Sequence, residues 1–293
     1  PRSTLFPYTT LFRSVFKGPT SKYLFPVIPM KYKKFKECNT IFFCDFNAGY
    51  YQKLFSGTKI LYSADSPTFY YSKRSDLKSF FFHWKYIVEE RILFPWFKNI
   101  IFVSELDLAF SKKRARNKGI QVPIGYNAER TVLSPQKEYD LIFSGNFNYK
   151  PNHEAAEHFL YENSEKLIMK FPKIKLCFVG RNPSRKMKDF AEKYPKNIII
   201  TGEVNSVDEY LGKARIFISP LESGSGMKNK ILQAMAAQLP VIGTTESLSG
   251  FSNYNPQSVR VVPDIKSMLE EIDLMHKMDH EQLTQLGKVN QEY

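Results

Sequence analysis

Apolar runs rich in Ile, Phe and Val alternate with segments of helical period along most of this chain, which predicts an α/β fold with parallel sheets. The rhythm is most regular from residue 139 onward. Runs at 140–144, 174–179, 197–201, 214–219, 241–242 and 259–262 read as strands, with helices predicted over 153–171, 184–193, 207–211, the segment after 226, and 264–276. Successive crossovers in such a sheet are right-handed, and this half reads as a complete nucleotide-binding domain. Earlier, 40–44, 59–62 and 99–103 read as buried strands. The Phe-, Trp- and Tyr-rich stretch 77–97 reads as a long amphipathic helix whose aromatics belong to the core in preference to the alternative, a membrane-docking face, with Glu89, Glu90 and Arg91 solvated or locally paired. The polar segment 128–138 reads as a linker. Two Rossmann-like domains follow, 15–137 and 138–293, the first incomplete.

The densest chemistry lies in 220–245, where a strand end meets a Gly-Ser-Gly turn (Gly224, Ser225, Gly226), a helix and another strand. Such a turn lets the backbone approach a ligand and aims free N–H groups at it, which suits a phosphate. At about 100° per residue, Gly226, Lys230 and Gln233 share one stripe, while Met227, Ile231, Ala234 and Met235 face the core. That places a cation one turn beyond the turn and an amide two turns beyond it. Lys228 falls off the stripe and reads as solvated.

The run Lys230-Ile-Leu-Gln233-Ala-Met-Ala-Ala-Gln-Leu-Pro240-Val-Ile-Gly-Thr244 resembles the donor-site signature of retaining, nucleotide-sugar-dependent glycosyltransferases of the GT-B fold, family 4 type. Phe143-Ser-Gly145-Asn146-Phe-Asn-Tyr-Lys150-Pro-Asn resembles a turn of relatives linked to exopolysaccharide synthesis. Phe178-Val-Gly-Arg181-Asn-Pro and Thr201-Gly-Glu-Val204 resemble two further donor-site turns, and Val122-Pro-Ile-Gly-Tyr-Asn127 resembles the stretch that closes the first domain. The resemblance implies two sheets facing a cleft, with the donor held by Gly145, Asn146, Lys150, Arg181, Val204, Gly224, Ser225, Gly226, Lys230 and Gln233. Lys230 would stabilise the leaving diphosphate. Asp65, after the strand 59–62, would orient an acceptor hydroxyl or else cap a helix, and Ser104-Glu105 would stand at another strand end near the cleft. The family's ribose-binding Glu is Gln233 here, a neutral amide and a weaker acceptor; Glu222 is the nearest carboxylate.

The implied reaction is sugar transfer with retention from a nucleoside-diphosphate sugar to a glycan or polyprenyl-linked acceptor, without cofactor or metal; no Asp-x-Asp motif stands at the strand ends. A non-catalytic sugar-nucleotide or carbohydrate-binding relative is one alternative, carried by Gln233. A nucleotide-sugar epimerase of the same architecture is another, though no acid/base pair for it is identifiable. None of the five histidines has triad or metal spacing.

Composition adds three points. A net charge of +13 suits anionic partners, and the Lys31–Lys36 run (Lys-Tyr-Lys-Lys-Phe-Lys) is a candidate patch for peripheral contact with an anionic membrane. Nucleic acid is not expected, because no reading module accompanies the charge. No apolar run reaches a membrane span, and three cysteines without pairing or ligand spacing fit reduced thiols, so a cytoplasmic location is expected, at most peripheral at the inner membrane face. Finally, Thr4–Ser14 (TLFPYTTLFRS) resembles the translation of a sequencing-library adapter, so residues 1–14 are set aside as non-native. By the resemblance, the family's first strand, its glycine-rich turn and its last helices would lie beyond the given ends, and a chain lacking them is expected to be poorly stable or inactive.

Overall fold

In the computed structural model, which describes residues 38–44, 46–63, 66–74, 76–128, 133–224 and 227–293, two all-parallel sheets are stacked along the chain. The first holds β1 (Thr40–Phe43), β2 (Thr58–Ser63), β3 (Asn99–Phe102) and β4 (Gly119–Gln121), in that spatial order. Between them run α1 (Pro67–Ser72), α2 (Leu77–Leu93) and α3 (Glu105–Ala115). Pro95 follows α2 in a short 3-10 turn, so the helix ends before 97. Phe43, Phe94, Phe97 and Phe102 make edge-to-face contacts in the core of this half, with Leu61 and Ile100 fully buried beside them.

The second sheet has the order β10-β9-β8-β5-β6-β7. Its strands are β5 (Tyr139–Ser144), β6 (Leu176–Val179), β7 (Ile198–Gly202), β8 (Ala214–Ser219), β9 (Val241–Thr244) and β10 (Val259–Val262). The intervening helices are α4 (Lys150–Phe159), α5 (Glu165–Lys170), α6 (Arg185–Lys193), α7 (Val207–Gly212), α8 (Asn229–Ala236), α9 (Thr245–Leu248), α10 (Met268–His276) and α11 (His280–Gln291). Strand interiors such as Leu141, Ile142, Phe217, Ile218 and Ile242 are shielded on both faces, as parallel sheets require. Each such side chain contributes about 1.5–3 kcal/mol by leaving water.

The helix expected over 153–171 starts at Lys150 and is interrupted by a π turn, Leu160–Ser164. There Asn163 is committed elsewhere, its amide donating to the Ile265 carbonyl at 2.7 Å. β4, α3 and α11 are elements the periodicity does not announce. Two expectations about α2 fail. Its Leu77, Phe80, Phe81, Trp84, Val88 and Ile92 are exposed rather than core. Glu90 is fully buried rather than solvated, ion-paired with Arg114 and accepting from the hydroxyls of Thr68 (2.5 Å) and Ser66 (3.3 Å). The first domain spends the polar face of this helix on a buried network and turns an apolar face outward.

The two halves meet through strand ends. Val103, just after β3, joins the core of the second half, with Tyr62 and Tyr126 packed against it. Tyr126 donates to Asp208 at 2.8 Å, and Lys73 pairs with Glu246 at 3.0 Å.

Candidate active site

The second sheet reverses direction at β5. The chain proceeds outward from β5 to β6 and β7, then returns to place β8 on the other side of β5. Open α/β sheets bind ligands at such a switch point, beyond the carboxyl ends of the strands. Lys230 sits there. It stands in the first turn of α8, and its ammonium lies over the Phe143 ring at 4.4 Å and donates to the Asn152 side-chain oxygen. Asn152 is held in turn, its amide donating to the Asn146 carbonyl at 3.0 Å. A Cβ at Gly145 would meet the Asn152 nitrogen at 2.8 Å and the Lys230 ammonium at 3.1 Å, so a larger residue there would displace the pair of side chains that meet at the turn.

Lys230 is partly buried as a residue, with its ammonium enclosed, and among the described residues no carboxylate pairs with it. Burial, assisted by the positive charge of Lys228, pushes its pKa down from the usual lysine range to about 7. A cation held with only an amide and a ring for company is under-compensated, and an anion is what it lacks.

The loop entering α8 is fixed from behind. Thr244 donates to the Leu221 carbonyl, Ser247 donates to the Ser219 carbonyl at 2.5 Å, and the Leu221 N–H donates to the Ser247 hydroxyl at 3.1 Å. Gly224 has φ +134, a conformation that disfavours any side chain. Ser225 and Gly226 lie outside the described residues. Lys228 is not fully solvated; it is partly buried, its stem lying against Gly224.

The other predicted donor residues fall on neighbouring turns. Asn146 caps its own turn, its side-chain oxygen accepting from the Asn148 N–H at 3.1 Å. Arg181 is exposed and lines a cleft of about 630 Å³ with Phe147, Asn148, Asn182, Gly202 and Glu203, fed by the ends of β5, β6 and β7. Val204 is partly buried just after β7. Lys150 points away, paired with Glu154 at 3.5 Å on the outer face of α4. Gln233 is partly buried, and its amide makes no side-chain hydrogen bond among the described residues. Glu222 is tied to His158 at 2.8 Å. Among the described residues no group of three His, Cys, Asp or Glu side chains is placed to hold a metal ion.

Asp65 lies outside the described residues. The helix cap that follows it is made by Ser66, whose side chain accepts from the Phe69 N–H. Ser66 is anchored by a residue the sequence reading missed: buried Asp107 accepts from the Ser66 N–H at 2.9 Å and from the Ser104 hydroxyl. Burial raises the Asp107 carboxyl above the usual range, against those hydrogen bonds and the positive charges of Lys228 and Lys73. Asp107 thus feels the charge of Lys228 from the opposite half. Ser104-x-x-Asp107 at a helix start is a capping-box spacing and was the available signal.

The comparisons with known proteins bear on the class. Residues 138–276 match the family described as glycosyl transferases group 1, a stretch that runs from β5 through α10. No curated protein matches. Among solved structures, sucrose-phosphate synthase from Thermosynechococcus elongatus is similar with a TM-score of 0.70 at 15% identity, over 91% of this chain and 75% of that one. TarM is similar with a TM-score of 0.63 at 14% identity, over 80% of this chain. Anabaena HepE in complex with UDP and glucose gives a TM-score of 0.63 at 10% identity, over 89% of this chain and 74% of that one. The chain spans 46% of the length of TarM. The fold is therefore α/β of the GT-B kind, two parallel sheets of four and six strands, and the likeness to the group 1 glycosyltransferase family is confined to the second half.

Proposed function

We propose that the chain transfers a sugar from a nucleoside-diphosphate sugar, held by the second half, to a glycan or lipid-linked hydroxyl held by the first. The reading includes retention of configuration, no metal, and a cytoplasmic site of action with peripheral membrane contact. The observation that carries it is Lys230, an enclosed cation at the switch point of the sheet that no carboxylate among the described residues pairs with. A diphosphate there would restore its charge, and departure of the sugar would leave the growing negative charge beside a fixed cation and the N-terminus of α8. The turns of β6 and β7, with Arg181 and Val204, would receive the nucleoside. Asp107 would act through Ser66, positioning the start of α1.

Titration of UDP into the chain by calorimetry tests this reading. Free Lys230 loses its proton near pH 7, whereas the bound diphosphate holds it charged, so binding takes up a proton above that pH. Affinity is expected to fall by up to about tenfold per pH unit between 7 and 9, where the diphosphate charge is constant. A flat profile would remove Lys230 from the site.

Gln233 favours a second reading, a binder without turnover, because its neutral amide stands where the related motif has a carboxylate. In that case UDP binds, no sugar is released or transferred, and Gln233→Glu restores transfer. On the first reading the unaltered chain turns over and Gln233→Glu changes the rate by less than about tenfold.

A further inference from the structure

A helix on a protein surface normally turns its polar side to water; α2 does the reverse. Leu77, Phe81, Trp84, Val88 and Ile92, spaced by three or four residues, form one continuous outward stripe, with Phe81 66% and Trp84 54% exposed. Trp96 extends the stripe beyond the helix end at 51% exposure. These are the only two tryptophans in the chain. Basic side chains outnumber acidic ones around the stripe. Lys78, Lys85 and Arg91 are exposed on the same side, and the Lys53 ammonium lies 5.7 Å from the Trp96 ring. Of the acidic residues of α2, Glu90 is buried and Glu89 pairs with Lys85 at 3.5 Å, leaving Lys78, Arg91 and Lys53 as the charges uncompensated among the described residues.

We propose that α2 docks the first half onto an anionic lipid surface. Tryptophan, phenylalanine and leucine on one face with lysine and arginine at its margins is the composition of a helix lying in the headgroup plane, its apolar side sunk about 5–10 Å. Charge complementarity selects the anionic lipid, each basic side chain near such a surface strengthening binding by about fivefold. The stripe belongs to the segment joining β2 to β3, so docking would hold the first half close to the membrane. The proposal stands apart from the transfer reaction, since it concerns a surface that does not include Lys230.

The test is co-sedimentation of the 293-residue chain with vesicles of phosphatidylcholine containing phosphatidylglycerol, beside pure phosphatidylcholine, with tryptophan emission recorded. Binding to the anionic vesicles, weakened by salt, with blue-shifted emission quenched by brominated lipid, is the expected result. The pair Phe81→Glu and Trp84→Glu, both at exposed positions, should abolish binding with the circular dichroism spectrum unchanged. Lys78→Gln with Lys85→Gln should weaken it by about 25-fold, fivefold for each charge. Equal binding to pure phosphatidylcholine would overturn the proposal, as would undiminished binding of the double Glu variant, which would move the contact to another patch such as Lys31–Lys36. A dimer abolished by the same pair, with no vesicle binding, would assign the face to a second copy instead. UDP titration of the same samples reports separately on the transfer reading.

Discussion

Lys230→Ala should lower sugar transfer by about a hundredfold or more while leaving the thermal midpoint unchanged or raised. The two halves of this expectation have one cause. The ammonium is enclosed against Phe143 and Asn152, and no carboxylate among the described residues offsets its burial, so its charge is a cost in the unliganded fold and a benefit only when an anion arrives. Removing one preorganised group facing a developing negative charge typically slows a reaction by a hundred- to a thousandfold. Lys230→Arg should rescue poorly, because a guanidinium cannot give up its proton in the free state and does not fit beside Gly145, where even a Cβ would be crowded. Steady-state transfer with UDP-sugar donors, paired with a thermal melt, checks both halves. A variant that melts early yet transfers normally would make Lys230 a structural lysine.

Glu90→Ala should be the most damaging single change in the first half, at about 3–5 kcal/mol. The carboxylate is fully buried and serves three partners at once, Arg114, Thr68 and Ser66. Truncation leaves the Arg114 guanidinium without its counter-charge and two buried hydroxyls without an acceptor, the circumstance in which removing one partner costs more than the pair ever contributed. Glu90→Gln keeps an acceptor for the hydroxyls and should lose less. Denaturant unfolding followed by tryptophan emission is a direct readout, since Trp84 and Trp96 both belong to this half. Because Ser66 and Ser111 also join the network, through a hydroxyl contact of 3.1 Å, loosening Glu90 should also disturb the start of α1 that Asp107 anchors.

The second half was legible in the sequence because its physics is local. Its strands are apolar runs bounded by breaks, and the segment from Gly224 to Thr244 carries both the glycine and the lysine that the site uses. What the sequence withheld were matters of orientation. Aromatic residues occupy most of the circumference of α2, so helical period alone could not say which side meets the sheet. Glu90 sits in a Glu-Glu-Arg run that looks solvated until Ser79, His83, Tyr86 and Glu90 are seen to share one face. Lys150 stands on the expected turn, but its pairing with Glu154 depends on how α4 leaves β5. Asp107 was hidden differently: its role comes from Ser66, 41 positions away, and only tertiary structure brings them together.

The strand order of the second sheet also bears on how the chain comes off the ribosome. β5 is synthesised first and pairs early with β6, but its other edge belongs to β8; Asp140 and Arg215, ion-paired across that seam at 2.9 Å, are 75 residues apart. Until β8 emerges, the edge of β5 (Leu141, Ile142 and Phe143 among its residues) is an unpaired apolar template, open to any other extended segment. Asn152 and Lys230 are 78 residues apart, so the cation reaches its pocket only after that edge has been closed. Nascent chains halted between β7 and β8 should therefore be the species that chaperones hold, and the nucleotide site matures in the same step that ends their vulnerability.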